Sequence, residues 1–465
     1  MEKKFFIIIF VGLLLLVSSI TTGIKIEEKK SVKNEEKNYE NMPVMKIDGE
    51  TLKLWEEDYN NAERAYIDPT LTEGIQTTED FSILDLLDYD PEERSQGSCG
   101  NCWAWPSTAV LAIALNVQEG IKDRLSVQFM NTCGEDYTSG MYEIECCGGG
   151  TLEMLARFYS NTNFAIPWSN DMAHWHDGGY FNCRTDCYEI SKTPNYPIYD
   201  IDAVVIETRN VPTEDAIQNI KNVLHQNKGV YFSVMYPDLQ NLDDFRNMWS
   251  NDGEQDSYDL DYYCGNEWND EEAVGHAMLI VGYHDVEGTD NDYWVVLNSW
   301  GTTDNRPNGL LAWDMNMNYA CKYSGYYAFA AKTLDVNFNP NPEAPEKPII
   351  NGPSSGEPET EYTFEVSAVD PQGDDVYLYM KWGGQFGTGW EGPYKSGEVA
   401  QFTHSFSEED NYVIRAKARD ANYNESTWSS FEFNMAKNKA KEKSPLDFLK
   451  QYPLIYRVIE KILSF

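Results

Sequence analysis

The sequence predicts an α+β domain followed by a small all-β sandwich, and three observations carry that reading. Directly after Cys102, apolar residues recur at helical spacing at Val110, Ile113, Ala114 and Val117. Two continuous apolar runs, "VGHAMLIVGYHD" at 274–285 and "DYWVVLNSWG" at 292–301, read as buried strands. Beyond a Pro-rich stretch, "YTFEVSAVD", "DVYLYMKW", "AQFTHSF" and "NYVIRAKARD" alternate apolar and polar residues at strand period between Gly, Pro and Asp turns. About seven such strands in about 95 residues make a sandwich.

The elements follow in order. Residues 1–23 read as a signal peptide: basic "MEKK", apolar "FFIIIFVGLLLLV", then small residues in "SSITTG". The alternative is an uncleaved anchor, and both readings place the folded part outside the cytosol. Residues 24–78, rich in Lys, Glu and Asn, read as a prosegment or N-terminal arm. The main domain spans 79–336 and holds all 9 cysteines, an odd number that leaves one thiol over. Residues 337–348, "NFNPNPEAPEKP", cannot form helix or interior strand and are expected to be a linker. The sandwich covers 349–436. In 437–465 a basic spacer with Lys437, Lys439, Lys441 and Lys443 precedes an amphipathic segment with Phe448, Tyr452, Ile455, Ile459 and Ile462 on one face, with Pro453 suited to a helix start. That segment is a candidate for attachment to a cell or membrane surface.

Charge narrows the function. Against 36 basic side chains stand 76 acidic ones, a net charge of -40. Such a surface repels phosphate backbones, so no nucleic-acid partner is expected.

Chemistry concentrates in "SQGSCGNCWAWPST" at 95–108. By itself the segment could be a metal knuckle, a redox pair or the seat of a nucleophile. Cys102 sits at a helix N-terminus, where free amide donors and the helix dipole favour a thiolate. His276 heads the first apolar run and Asn298 ends the second. A hairpin turning around Glu287 and Gly288 would pair residues whose numbers sum to 574, so that His276 faces Asn298. A thiol nucleophile, an imidazole base and an orienting amide are the parts of an acyl-transfer site.

These motifs resemble the papain family of cysteine peptidases, whose signature C-G-[SA]-C-[WY] with downstream His and Asn corresponds here to Cys99, Gly100, Asn101, Cys102 and Trp103. "LSVQFMNTC", "CCGGG" and "NSWG" follow in the family's order. The resemblance implies a fold of two halves, one helical and one an antiparallel β-barrel. It implies Cys102 as nucleophile, His276 as base and acid, Asn298 as its orienter, and Gln96 as a donor to the oxyanion. Trp300 would shield the His and Asn pair. Gly149 and Gly150 would pair with extended substrate, while Thr151, Leu152, Val274 and Ala277 would line the pocket for the second residue before the cut. It further implies Cys102 free and disulfides Cys99 to Cys147 and Cys264 to Cys321. Cys133 would join Cys187 and Cys146 would join Cys183, two assignments that can be exchanged.

The chain departs from the pattern in places. The 174-residue interval from Cys102 to His276 exceeds the roughly 130 to 150 of the family, which points to inserted loops near 169–182 and 236–259. Pro106 falls in the early helix, and Asp304 stands near the place of a second tryptophan.

Other readings explain less. A zinc site from Cys99, Cys102, Cys183 and Cys187 leaves Gln96, His276 and Asn298 without a role. A thioredoxin-like pair lacks a βαβ context. His174 and His176 read as a solvated loop, and His225, His284 and His404 as ordinary surface or core residues. Asp370, Asp374, Asp375 and Asp420 read as turn residues ahead of a calcium site. The sandwich resembles immunoglobulin-like repeats of the polycystic-kidney-disease or fibronectin type. The expectation is a secreted peptidase that cleaves protein or peptide substrates through a thioester, with no metal and no cofactor. The alternative is a surface-binding protein whose papain-like domain no longer hydrolyses or transfers acyl groups elsewhere.

Overall fold

In the computed structural model, which describes residues 42–72, 80–139, 143–177, 185–285, 292–340, 342–383, 385–407 and 411–435, the chain enters as strand β1 (Met45–Lys46) and helix α1 (Gly49–Asn61). Asp48 caps α1, its carboxylate accepting from the Thr51 amide at 2.8 Å. The predicted signal segment and the amphipathic C-terminal segment lie outside the described residues.

The helical half follows the sequence. Helix α2 (Ala104–Glu119) starts just after Cys102 and ends at Gly120, whose φ of +67° is the left-handed stop that glycine adopts freely. Pro106 is its third residue, within the first turn, where a missing N–H breaks no bond of the helix. Ser126 caps α3 (Val127–Tyr137) through the Phe129 amide at 2.9 Å, and α4 (Leu152–Thr162) completes the group.

The other half is one sheet. Its strands are β2 (Asp80–Ser82), β3 (Asp200–Val205), β4 (Val230–Tyr236), β5 (Ser257–Tyr258), β6 (Val274–His284), β7 (Tyr293–Leu297), β8 (Leu310–Asp314) and β9 (Phe329–Asn337), flanked by α5 (Thr213–His225) and α6 (Leu239–Asn251). The order is β3-β9-β4-β6-β7-β8-β5, with β1 and β2 both on β6. Strand β6 is buried from Val274 to Tyr283, as an unbroken apolar run requires. One core cluster joins helices and sheet, and it includes Met45, Ile47 and Leu52 of the N-terminal arm.

The hairpin register differs from the expected one. Leu279 pairs with Leu297 and Ile280 with Val296, a sum of 576, and a bulge at Val281 then sets Gly282 opposite Val295. The pairs nearest the turn sum to 577, so the hairpin is not centred where the expectation placed it, and the bulge then takes the sum back by one.

The sandwich holds β10 (Ile349–Asn351), β11 (Ser355–Gly356), β12 (Glu361–Ser367), β13 (Val376–Trp382), β14 (Gln385–Gly387), β15 (Glu391–Tyr394), β16 (Ala400–Ser405), β17 (Asn411–Asp420) and β18 (Ser429–Met435). One sheet runs β10-β12-β16; the other runs β11-β18-β17-β13-β14, with β15 on β13. Phe364, Met380, Ile414 and Phe433 fill the space between them. Asp370 Oδ1 accepts from the amides of Gln372 and Asp374, and Asp420 Oδ1 from those of Asn422 and Asn424. This is the turn chemistry expected of those aspartates.

Residues 337–348 are more than a spacer. Asn337 belongs to β9, Phe338 and Ala344 are buried, and Glu346 N–H donates to Val369 O. The two domains also share ion pairs: Lys417 of β17, which meets Glu425 of its own domain at 2.6 Å, reaches Asp200 at 2.9 Å, and Lys381 of β13 reaches Asp202 at 2.6 Å. Both aspartates belong to the edge strand β3. The arm runs along that same edge, where Ala65 N–H donates to Val205 O and Val205 N–H to Glu63 O, each at 2.8 Å.

Candidate active site

Cys102 lies fully buried just before α2, and it is the free cysteine among the described residues. The disulfide between Cys99 and Cys147 ties the turn before it to the glycine-rich loop, so the turn cannot drift from that wall. The Cys102 thiol is 3.9 Å from the Gly275 carbonyl and also meets the backbone amide of Ala277. His276 stands between those two residues. Its Nε2 is 2.8 Å from Asn298 Oδ1, and that same oxygen accepts the Ser299 amide at 2.8 Å. An oxygen already accepting from a backbone amide is an acceptor for the ring as well, so Nε2 carries the proton and Nδ1 the lone pair. Nδ1 is buried with no hydrogen-bond partner among the described residues. Trp300 stacks on the imidazole with ring centroids 4.5 Å apart, and Phe245 of α6 stands behind both.

Gln96 is aimed by a neighbour. Ser299 Oγ donates to Gln96 Oε1 at 2.6 Å, which turns the NH2 group into the cleft. There Nε2 donates to Cys99 O at 2.7 Å and to Pro43 O at 3.4 Å. The motifs around Gln96 and Asn298 pair like strands, with Gln96 N–H on Ser299 O and Gly301 N–H on Arg94 O. Arg94 Nε donates to Asn298 O at 3.1 Å, and burial lowers its guanidinium to about 9. Sequence reasoning missed Arg94 and Ser299, although Ser299 stood inside the quoted "NSWG".

The arm crosses this site. Pro43 O accepts from Trp300 Nε1 at 3.1 Å as well as from Gln96. Met45 pairs with Gly275 across the β1–β6 ladder, its sulfur 3.4 Å from the Gly150 amide. Its backbone amide also meets the Cys102 thiol. Upstream, Met42 O accepts from Arg246 Nε at 3.2 Å and Nη2 at 2.9 Å. Under this cover, burial pushes the Cys102 thiol up to about 12 and His276 down to about 3, so both are neutral.

The remaining site residues fall around the arm. Gly150 has room for no side chain, since a Cβ would stand 2.4 Å from the Trp103 ring; one on Gly149 would meet Met45 at 3.4 Å. Thr151 precedes α4 and lines a cavity beneath α1 with Met45, Met235, Phe329 and Arg209. Val274 pairs with Lys46, whereas Leu152 and Ala277 are fully buried in the core. Arg209 Nη1 meets Glu56 of α1 at 2.8 Å. No signal in the sequence marked Pro43, Glu56, Arg209, Phe245 or Arg246, because each acts through a contact distant in the chain.

Disulfides join Cys99 to Cys147, Cys133 to Cys187 and Cys264 to Cys321. Cys146 is also disulfide-bonded, and Cys183 lies outside the described residues. Cys102 and Cys99 therefore form neither a redox pair nor a zinc site. His176 is bonded to Thr185 Oγ1, His225 to the Tyr283 hydroxyl and His284 to Asp80, while His404 stacks on Trp382.

With this geometry in hand, the chain can be set beside known proteins. A family model described as papain family cysteine protease matches residues 91–244 and 245–330. A low-temperature-induced cysteine proteinase of Solanum lycopersicum is 29% identical over 252 residues, covering 54% of this chain and 60% of that protein. Cathepsin S of Mus musculus is 24% identical over 239 residues, covering 51% and 57%. The chain thus spans a little over half the length of these relatives. Among solved structures, the PKD domain of an M14-like peptidase from a Thermoplasmatales archaeon is 40% identical, covering 20% of this chain and 96% of that one at a TM-score of 0.20.

Proposed function

The chain belongs to the papain family of cysteine proteases, and from that premise we propose that it hydrolyses peptide bonds through Cys102, in a form here held inactive by its own N-terminal arm. The observation that carries the reading is the imidazole: Nε2 is fixed on Asn298 Oδ1, which leaves Nδ1 unbonded, while the free Cys102 thiol at the helix N-terminus meets the backbone of Gly275 and Ala277, the residues on either side of His276. In the reaction the Cys102 proton passes to His276 Nδ1 as sulfur adds to the substrate carbonyl carbon. Gln96 Nε2 and the Cys102 amide receive the resulting oxyanion. As the C–N bond breaks, the imidazolium returns its proton to the leaving amine and a thioester remains. Water, losing its proton to the same Nδ1, then adds to the thioester and releases the acid and the thiol.

The arm occupies the oxyanion donor and the nucleophile. Pro43 O takes donors from Gln96 and Trp300, while Met45 covers the thiol. It also runs backwards: Gly149 and Gly150 flank the residues before the cut, so Trp300 marks the leaving side, and the arm passes from Trp300 toward the glycines. Reversed polarity keeps a bound peptide from presenting its carbonyl to the thiolate as a substrate does. Its cystines accord with an extracellular or secretory route.

The test is alkylation of Cys102 by an epoxide that captures thiolates, on the full chain and after limited proteolysis of the arm. Slow labelling that accelerates on arm removal, together with turnover of peptides lost in Cys102→Ala, is the expected result. Cys102→Ala retaining full turnover would refute the assignment.

A further inference from the structure

Helix α6 lies in one of the stretches where the Cys102 to His276 interval runs long, and it walls the leaving-group side of the cleft. Its face toward the site carries Leu242, Phe245, Arg246 and Trp249, the spacing of one helical stripe. Phe245 and Trp249 pack on Trp300 at 5.4 and 5.9 Å, which fixes the helix against the active site. Between them Arg246 extends its guanidinium into the groove, where its side chain is only 14% exposed. Asp243 holds Nη1 at 3.4 Å, so the edge carrying Nε and Nη2 faces the cleft. Both of those donors converge on one oxygen, Met42 O. Met42 adjoins Pro43, whose own carbonyl holds Gln96 and Trp300, so the fork stands one residue step, about 3.8 Å along the chain, beyond the donors next to the nucleophile.

Two parallel N–H donors on a planar cation match a carboxylate better than an amide carbonyl, because the carboxylate fills both donors and supplies the opposite charge. On a body with a net charge of -40, an anionic chain end is repelled almost everywhere, so a cation at this place decides where it settles. Resting on the reading of Cys102 as a peptidase nucleophile, we propose that Arg246 binds the free C-terminal carboxylate of the substrate within two residues of the cut, which makes the enzyme a carboxypeptidase that releases single residues or dipeptides from chain ends. The arm's Met42 carbonyl occupies that carboxylate site in the closed form. Arg246 also opposes protonation of His276. A bound carboxylate would relieve that opposition as the imidazolium forms.

The experiment uses the full chain and two epoxysuccinyl dipeptides that reach the leaving-group side, identical except that one ends in a free carboxylate and the other in an amide. The rate of Cys102 alkylation is followed by mass for wild type, Arg246→Gln and Arg246→Lys. Because the arm must lift for either probe, its occlusion cancels in the ratio of the two rates. The expected ratio is about tenfold or more in favour of the acid for wild type, close to one for Arg246→Gln, and intermediate for Arg246→Lys, which keeps a point charge but loses the fork. A wild-type ratio near one, or a ratio unchanged in Arg246→Gln, overturns the proposal and leaves the peptidase reading standing. Failure of both probes on a chain whose arm has been cut away overturns the peptidase reading, and this inference with it.

Discussion

The Oδ1 atom of Asn298 accepts from both His276 Nε2 and the Ser299 amide, and the Ser299 hydroxyl in turn aims Gln96. Two adjacent residues, Asn298 and Ser299, therefore orient the imidazole and the Gln96 amide together. A hydrogen bond to a group that becomes charged contributes about 1.5–3 kcal/mol, so Asn298→Ala is expected to lower kcat by roughly 10- to 100-fold while the imidazole keeps its chemistry. On the proposed mechanism Gln96→Ala takes away one oxyanion donor and should cost about 100- to 1,000-fold in kcat. Ser299→Ala should show a milder loss in the same direction, since the amide remains but is free to turn. Steady-state kinetics on one peptide, with the arm removed, orders the three. Equal activity in wild type and Gln96→Ala would show that the amide points elsewhere in the working enzyme.

Helix α1 is where the arm gains its hold. Its Glu56 meets Arg209, a guanidinium that is 5% exposed and is further fixed by Nε and Nη2 on Phe329 O. Removing one partner of a buried pair typically costs about 3–5 kcal/mol, because the other charge is left behind. Here the arm can lift and let water reach Arg209, so the cost should appear as opening and not as global unfolding. Glu56→Ala is therefore expected to raise hydrogen exchange throughout α1 and to speed Cys102 alkylation, with little change in the exchange of β6. Unchanged protection of α1 would mean that Met45, Ile47 and Leu52 hold the arm without the pair.

At the scale of the whole molecule, the sandwich closes over the arm and the edge strand. Trp390 Nε1 donates to Glu63 at 2.9 Å, and Tyr66 of the arm stands 6.1 Å from Tyr423. Burial, with Glu425 nearby, raises the Glu63 carboxyl to about 7; Lys417 and the Trp390 indole pull the other way, and Asp202 adds to the rise. Burial alone would lower Lys417, yet Asp200, Glu425, Asp335 and Glu63 hold it well above its usual range. A carboxyl raised in the closed form binds a proton there that the open form releases. The stabilisation of the closed arm is therefore fully present below the ordinary carboxyl value near 4.5 and is lost as pH rises from there through 7. In a Cys102→Ala chain, proteolytic cutting of the arm should accelerate from pH 6 to pH 8, and Glu63→Gln should flatten that rise. The same interface bears on truncation. A chain ending at Asn339 leaves Asp200 and Asp202 without Lys417 and Lys381, so its Tm is expected to fall and its arm to be cut faster. A truncated chain with the Tm and arm protection of the full one would show the ion pairs to be incidental.

The sequence by itself determined what is local and chemical. A thiol before a helical run, a histidine heading an apolar strand, "NSWG" at the end of the next strand, and the period-2 segments beyond residue 349 each carry their meaning within about a dozen residues. The odd cysteine count likewise matched a free Cys102 with its neighbours in disulfides. Tertiary structure alone decided the rest. The hairpin register lies two away from the expected sum even after the bulge at Val281 takes it back by one, yet Asn298 still meets His276 because its side chain reaches across from just past the strand end. The course of the arm through the cleft, the fork of Arg246 and the ion pairs beneath the sandwich all join residues that are far apart in the chain. Such contacts are fixed by shape and charge brought together on folding, and neither helical nor strand periodicity leaves a trace of them in the order of residues.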